Sequence, residues 1–256
     1  LSVALLLSVH AALFLSHAVA HVEFVGLTLP TWPVLLLPFL AAWFWGIPQA
    51  YNLIDGINGL SMGFGLLALG ILGWHLPTQP ALMWGGLSAV LLLNFPRAKH
   101  FLGDCGALML GTLFAALAVN LLVARNADLP VWLFAYPIVD VTLVVAIRRW
   151  RRQPLGSADR SHLHHWMMDR VGQRSWLATP ILLTLAVLPM LRLVDGTGMR
   201  ALSLIGAVAL GGLALKAFLD RILPDPTSIP VAQVRREIPL MPRSETSETS
   251  RVQPIP

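Results

Sequence analysis

Residues 60–76 read LSMGFGLLALGILGWHL, seventeen positions in which His75 is the sole ionisable side chain. A helix of that length reaches about 26 Å at 1.5 Å per residue, close to the roughly 30 Å of a bilayer's hydrocarbon core. Comparable apolar windows lie on either side, at 2–20, 32–50, 81–95, 108–123, 131–147, 177–193 and 201–219. Short polar breaks separate them, so the expected fold is all-α, a polytopic membrane bundle of about eight transmembrane helices. Composition agrees. Of the 256 residues, 56% are hydrophobic and 12% charged, where soluble domains carry roughly 25% charged residues. Mean hydropathy is +0.69, and a water-soluble globule is excluded on these grounds. Cys105 is the single cysteine, so neither an intramolecular disulfide nor a cysteine zinc site is expected. The first window ends in Ala18, Val19 and Ala20 like a signal-peptidase site, but without a basic start and with seven windows following it reads as a helix.

Alternating the eight windows across a bilayer puts fifteen of the eighteen lysines and arginines on one side and leaves Arg125, Arg192 and Arg200 on the other. Basic loops stay in the cytoplasm. The crowded side is therefore read as cytoplasmic, with 1–222 as the membrane domain and 223–256, rich in Pro, Ser, Thr and Arg, as a disordered tail. The net charge of +5 reports orientation and does not imply nucleic acid.

Polar residues at the ends of apolar spans are costly, and their clustering marks function. Four segments fall on the cytoplasmic side although carboxylates and histidines played no part in setting it: 52–60 (NLIDGINGL), 94–106 (NFPRAKHFLGDCG), 137–140 (PIVD), and the basic loop 148–174 containing 159–165 (DRSHLHH). A lone Asp–Gly step makes an ordinary turn. Asp55, Asp104 and Asp140 on one face, close to glycines and cationic donors, instead suit a Mg²⁺ and phosphate site, since magnesium takes oxygen ligands and is usually held by one or two carboxylates plus substrate phosphate. Glycines beside Asp55 and Asp104 let backbone N–H groups approach an anion. His162, His164 and His165 have a spacing that could hold a transition metal, but no thiolate or glutamate lies near them in sequence. Arg148, Arg149, Arg151, Arg152 and Arg160 surround them, which favours phosphate. His10, His17, His21 and His75 stand singly in or near spans and read as interfacial caps. Trp32, Trp74 and Trp176 read as interfacial anchors, and Cys105 as a small packing residue.

Together these segments resemble the polyprenyl-phosphate N-acetylhexosamine-1-phosphate transferase family over about 52–172. Residues 52–60 look like its Asn-x-x-Asp-Gly-x-x-Gly-Leu segment, 94–106 like its Asn-x-Pro-x-x-x-x-Phe-x-Gly-Asp-x-Gly segment, and 159–165 like its Asp-Arg-x-His-x-His-His loop. The resemblance implies transfer of a sugar-1-phosphate from a UDP-N-acetylhexosamine to undecaprenyl phosphate with release of UMP, in the bacterial inner membrane with the site facing the cytoplasm. It implies Asp55, Asp104 and His164 as catalytic residues and Asp104 and Asp55 as ligands of Mg²⁺, with Mn²⁺ as the alternative ion. Asn52, Asn58, Asn94, Lys99, Arg149, Arg152, His162 and His165 are implied as substrate-binding, and a second copy of the chain is a candidate partner. Two features depart from the pattern. The adjacent Asp pair of an earlier cytoplasmic loop is absent, and because the chain opens at Leu1 in apolar sequence, two or three helices are expected upstream. Asn58 stands where many relatives have Asp, and Ala107 where many have Ser. The rival readings are a small-solute transporter, whose signature would be mid-span charges and repeated halves, and a noncatalytic homologue.

Overall fold

The structure, a computed structural model, describes residues 2–223 apart from 19–20, 25–26, 31, 76–80, 126–129, 155–159 and 195. The expected tail therefore lies outside the described residues. Each apolar window coincides with a helix: α1 (Ser2–Ala18), α2 (Pro33–Leu53), α3 (Leu60–His75), α4 (Ala81–Asn94), α5 (Gly103–Arg125), α6 (Ala135–Trp150), α8 (Ser175–Met190) and α9 (Thr197–Ile222), with α7 (Leu163–Arg170) inside the basic loop. Among the described residues, Gly103–Leu121, Val131–Trp150, Ser175–Leu193 and Thr197–Ile222 are long and apolar enough to cross a membrane, and Leu60–His75 and Leu82–Asn94 are shorter apolar helices. The chain is a multi-pass membrane protein, and a count of eight crossings is a proposal.

Three local features differ from the windows. Between α1 and α2 the chain forms an antiparallel hairpin, β1 (His21–Phe24) with β2 (Leu27–Pro30), where polar and apolar residues alternate in His-Val-Glu-Phe with the period of a strand. Helix α5 begins at Gly103, five residues before its apolar window, so Asp104 sits in its first turn, where a carboxylate suits the N-terminal helix dipole. The window at 131–147 begins with a 3-10 turn, Pro130–Phe134, before α6 continues to Trp150.

Between membrane helices the hydrophobic effect supplies little attraction, so close packing and hydrogen bonds hold the bundle together. Helices α2 and α5 meet where Gly111 lies against Pro48, and a Cβ at Gly111 would stand 2.7 Å from the Pro48 Cα. Helices α8 and α9 meet in the same way at Gly206 and Leu188. A buried aromatic cluster joins α2, α3, α5 and the 3-10 turn: Tyr51 lies 5.9 Å from Phe64 and 5.6 Å from Phe114, and Trp43 lies 5.3 Å from Phe134, ring centre to ring centre. The Trp43 Nε1–H donates to the Ala115 carbonyl at 3.1 Å and the Tyr51 hydroxyl to the Ser61 carbonyl at 2.7 Å. Tyr51 immediately precedes Asn52, so this core fixes the end of α2 from which the first polar segment departs.

Candidate active site

The 54–59 turn links α2 to α3. Its Asp55 N–H donates to the Asn52 carbonyl at 3.2 Å, and the Leu60 N–H to the Ile57 carbonyl at 3.2 Å. Gly59 has φ of +79°, a left-handed conformation that glycine adopts without Cβ strain. Its N–H donates to the Asn94 Oδ1 at 2.6 Å, and the Asn94 Nδ2 donates to the His100 carbonyl at 2.8 Å. One buried amide thus ties the first polar segment to the second. The Asn58 Nδ2 adds a bond to the Pro96 carbonyl at 3.1 Å, while the Asn58 carbonyl accepts from the Thr179 hydroxyl of α8 at 2.7 Å.

This bracing brings Asp55 close to Asp104. The Asp55 carboxylate accepts a hydrogen bond from the Ser61 hydroxyl. Burial pushes its carboxyl above the ordinary range, the Ser61 bond acts in the opposite direction, and the neighbouring charge of Asp104 adds to the rise. Asp55 and the exposed Asp104 at the N-terminus of α5 offer hard oxygen ligands, and a divalent cation between them would offset their like charge. The donor set fits Mg²⁺.

The histidines come from α7 and the residue before it. On the α6 side, Asp140 is fully buried; its Oδ2 accepts from the His162 Nδ1 at 2.8 Å and its Oδ1 from the Leu163 N–H at 2.5 Å. Read from sequence as a third carboxylate of the phosphate and metal site, Asp140 turns both oxygens to α7. It is the carboxylate that bonds to His162, from 22 residues earlier in the sequence. The rings of His162 and His164 stack at 5.2 Å and those of His164 and His165 lie 4.3 Å apart. Asp140, His162 and His164 each place one ligand atom within 4.8 Å of the others, a one-oxygen, two-nitrogen set that suits a transition metal better than magnesium.

His164 connects the two halves of the site. A Cβ on Gly56 would stand 2.2 Å from the His164 Nε2, so the Asp-Gly turn and the imidazole are in contact because position 56 has no side chain. The His164 Nδ1 is buried without a hydrogen-bond partner. Burial lowers the His164 pKa to about 3; the Asp140 charge opposes this, while His165, His162 and Arg221 add to the fall. His165 is lowered as well, by burial first and then by His162 and Arg160. At neutral pH both rings are uncharged.

The end of α9 grips this unit through residues that the sequence reading passed over. The Arg221 guanidinium donates to the Arg160 carbonyl at 2.9 Å and the His162 carbonyl at 3.2 Å. Asp220 accepts from the Trp166 Nε1 at 3.2 Å, from Lys216 at 2.9 Å and from Arg170. Lys99, Arg149 and Arg152 are exposed and have no side-chain hydrogen bond or ion pair among the described residues, so the structure does not join them to the carboxylates or histidines. Asn52 is half-buried at the end of α2. Asp159 lies outside the described residues.

Comparison with known proteins places these features in context. The model of the family described as Glycosyl transferase family 4 matches residues 1–122. A probable undecaprenyl-phosphate N-acetylglucosaminyl 1-phosphate transferase of Bacillus subtilis is 31% identical over 143 residues, covering 51% of this chain and 40% of that protein. An undecaprenyl-phosphate alpha-N-acetylglucosaminyl 1-phosphate transferase of Yersinia pestis is 30% identical over 193 residues, 68% of this chain and 51% of its own length. A phospho-N-acetylmuramoyl-pentapeptide-transferase of Leuconostoc mesenteroides is 31% identical over 173 residues, 59% and 52% respectively. The chain spans about half the length of these relatives.

Proposed function

This chain belongs to glycosyl transferase family 4, and from that premise we propose that it transfers N-acetylhexosamine-1-phosphate from a UDP-sugar to undecaprenyl phosphate and releases UMP. A lipid phosphate oxygen bonds to the β-phosphorus of the donor, and the bond from that phosphorus to the UMP oxygen breaks, with its electron pair leaving on UMP. The reaction is the first membrane step of an envelope polysaccharide, such as an O-antigen, at the cytoplasmic face of the bacterial inner membrane. The activities for which the relatives are named support the lipid acceptor and the sugar-phosphate group, and the fifteen-to-three asymmetry of basic residues supports the facing.

One observation carries the reading: Asp55, whose carboxyl is raised by burial and in part by the neighbouring charge of Asp104, lies on the turn that touches His164. Asp55 and Asp104 would hold Mg²⁺, which when bound offsets the repulsion of two anionic substrates and the charge developing on UMP. The chain's own residues supply the rest. His162, His164 and His165 form an imidazole surface for the donor's pyrophosphate, and Asn58 and Asn94 hold the carboxylate turn against the second segment. Asn52, Lys99, Arg149 and Arg152 are proposed as phosphate contacts on the motif resemblance alone. Binding both substrates in one geometry lowers the barrier by removing the entropy of encounter.

The test is Asp104→Asn, assayed for Mg²⁺-dependent UMP release from UDP-N-acetylglucosamine plus undecaprenyl phosphate. A loss of at least about 10²-fold in turnover is expected for a group that stabilises charge at the reacting phosphates. Full activity in the variant would remove Asp104 from the site.

A further inference from the structure

We propose that Asp140 is a positioning residue that holds His162 in its Nδ1–H form, leaving on Nε2 the lone pair that takes the proton of the lipid phosphate as its oxygen bonds to the β-phosphorus and then gives that proton to the released UMP. The kinetic part of this proposal rests on the function proposed above; the assignment of the proton does not.

A carboxylate only accepts hydrogen bonds. The His162 Nδ1, 2.8 Å from the Asp140 Oδ2, must therefore carry the hydrogen, and Nε2 is left with the lone pair. When Nε2 takes a proton, the adjacent carboxylate stabilises the imidazolium that forms, as the carboxylate of a catalytic triad does. The second oxygen has a different task. His162 stands at the N-cap position of α7 and makes no capping bond with its own side chain; Asp140 supplies that bond from another helix, through its Oδ1 to the Leu163 N–H at 2.5 Å. A single carboxylate thus sets both where the histidine helix starts and how its first imidazole is protonated.

Helix capping alone does not explain this choice of residue. A serine or threonine hydroxyl satisfies an N-terminal N–H at lower desolvation cost, whereas a fully buried carboxylate needs several hydrogen bonds to be tolerated. The bond to His162 is the one that a cap does not require. His164, two residues on, has no carboxylate of its own and keeps a buried, unpartnered Nδ1. The structure therefore distinguishes the two rings: His162 is hydrogen-bonded to the Asp140 carboxylate, whereas His164 feels its charge without a hydrogen bond to it.

Asp140→Asn is nearly isosteric and discriminates between the two tasks. Its single amide oxygen can still accept from the Leu163 N–H, which leaves the NH₂ group facing the His162 Nδ1 and forces the opposite tautomer, Nε2–H. In ¹⁵N-histidine spectra of the protein in lipid nanodiscs, with the His162 signal identified by its loss in His162→Asn, the unmutated protein should show a protonated Nδ1 and Asp140→Asn a protonated Nε2. Turnover in Asp140→Asn should fall on the order of 10²-fold, the scale of a general acid or base, with KM for the UDP-sugar changed by less than about threefold. In a His162→Asn background the same change should have no further effect, because the two residues act as one unit.

A bare Nδ1 in the unmutated protein overturns the proposal, as do losses that simply add in the double variant. If Asp140→Asn does not fold, the unmutated spectra still decide. If the unmutated protein transfers no sugar-phosphate, the proposed function fails, while the proton assignment stands or falls on the spectra.

Discussion

At the residue scale, the most sensitive contacts are those that leave no room. Gly56 is the closest case, since a Cβ there would meet the His164 Nε2 at 2.2 Å and its Cε1 at 2.9 Å. The ring is almost wholly buried and has little space into which to retreat. Gly56→Ala is expected to lower stability by about 1–3 kcal/mol, the usual effect of overpacking, and to reduce turnover through displacement of His164. Gly211 on α9 has nothing within 4 Å of the same added atom, so Gly211→Ala should be neutral or slightly stabilising through reduced backbone entropy of the unfolded chain. Thermal unfolding together with turnover for both variants checks the pair, and a Gly56→Ala protein like the unmutated one in both would show that the turn and the imidazole are not in contact. Asn94 is a second such point. Its Oδ1 satisfies the Gly59 N–H at a buried position, and Asn94→Ala should cost about 1–3 kcal/mol for the donor left unpaired.

At the scale of elements, the apolar windows were legible because twenty or so lipid-facing or closely packed residues leave a signal that no soluble segment imitates. What escaped the windows is largely polar. Helix α5 starts at Gly103, with φ of +70°, and carries Asp104 in its first turn, so hydropathy places its beginning too late. Helix α7 buries Leu163, His164, Trp166 and Met167 within a loop dominated by arginine, and eight residues are too few for periodicity to declare themselves. The His-x-His-His pattern was readable as a site, but its partner Asp140 lies 22 residues earlier, a distance closed only in the folded chain, where Asp140 bonds His162 and the start of α7. The grip of α9 was invisible for the same reason: Arg221 is 59 residues from His162 and reads in sequence as one more topology-setting arginine. Its two bonds to the carbonyls of Arg160 and His162 are charge-assisted, and their loss in Arg221→Ala should release α7 by about 1–3 kcal/mol. Hydrogen exchange measured by mass spectrometry should then quicken in 163–170 while the middle of α6 is unchanged. Unaltered exchange in 163–170 would mean that α9 does not hold the histidine helix.

At the scale of the whole molecule, the account rests on gathering distant polar segments at one end of a membrane bundle. Asn94 and Asn58 bind the first segment to the second, His164 touches the first, and Asp140 with Arg221 fixes the histidines to α6 and α9. The proposed facing of that end, toward the cytoplasm, follows from the distribution of basic residues, and the chain contains its own reporter of it. Cys105, the single cysteine, is exposed and adjacent to Asp104. A membrane-impermeant maleimide should label it in inside-out vesicles and leave it unmodified in intact spheroplasts, and UDP-N-acetylglucosamine with Mg²⁺ should slow the labelling. Modification in spheroplasts would place the site on the opposite face. The chemistry itself is tested most directly by following the β-phosphorus of the donor. With UDP-N-acetylglucosamine carrying ³²P at that position and undecaprenyl phosphate as acceptor, sugar-phosphate transfer predicts that the label moves into the lipid fraction as unlabelled UMP is released. Label that remains in water-soluble UDP while the sugar reaches the lipid would contradict the account.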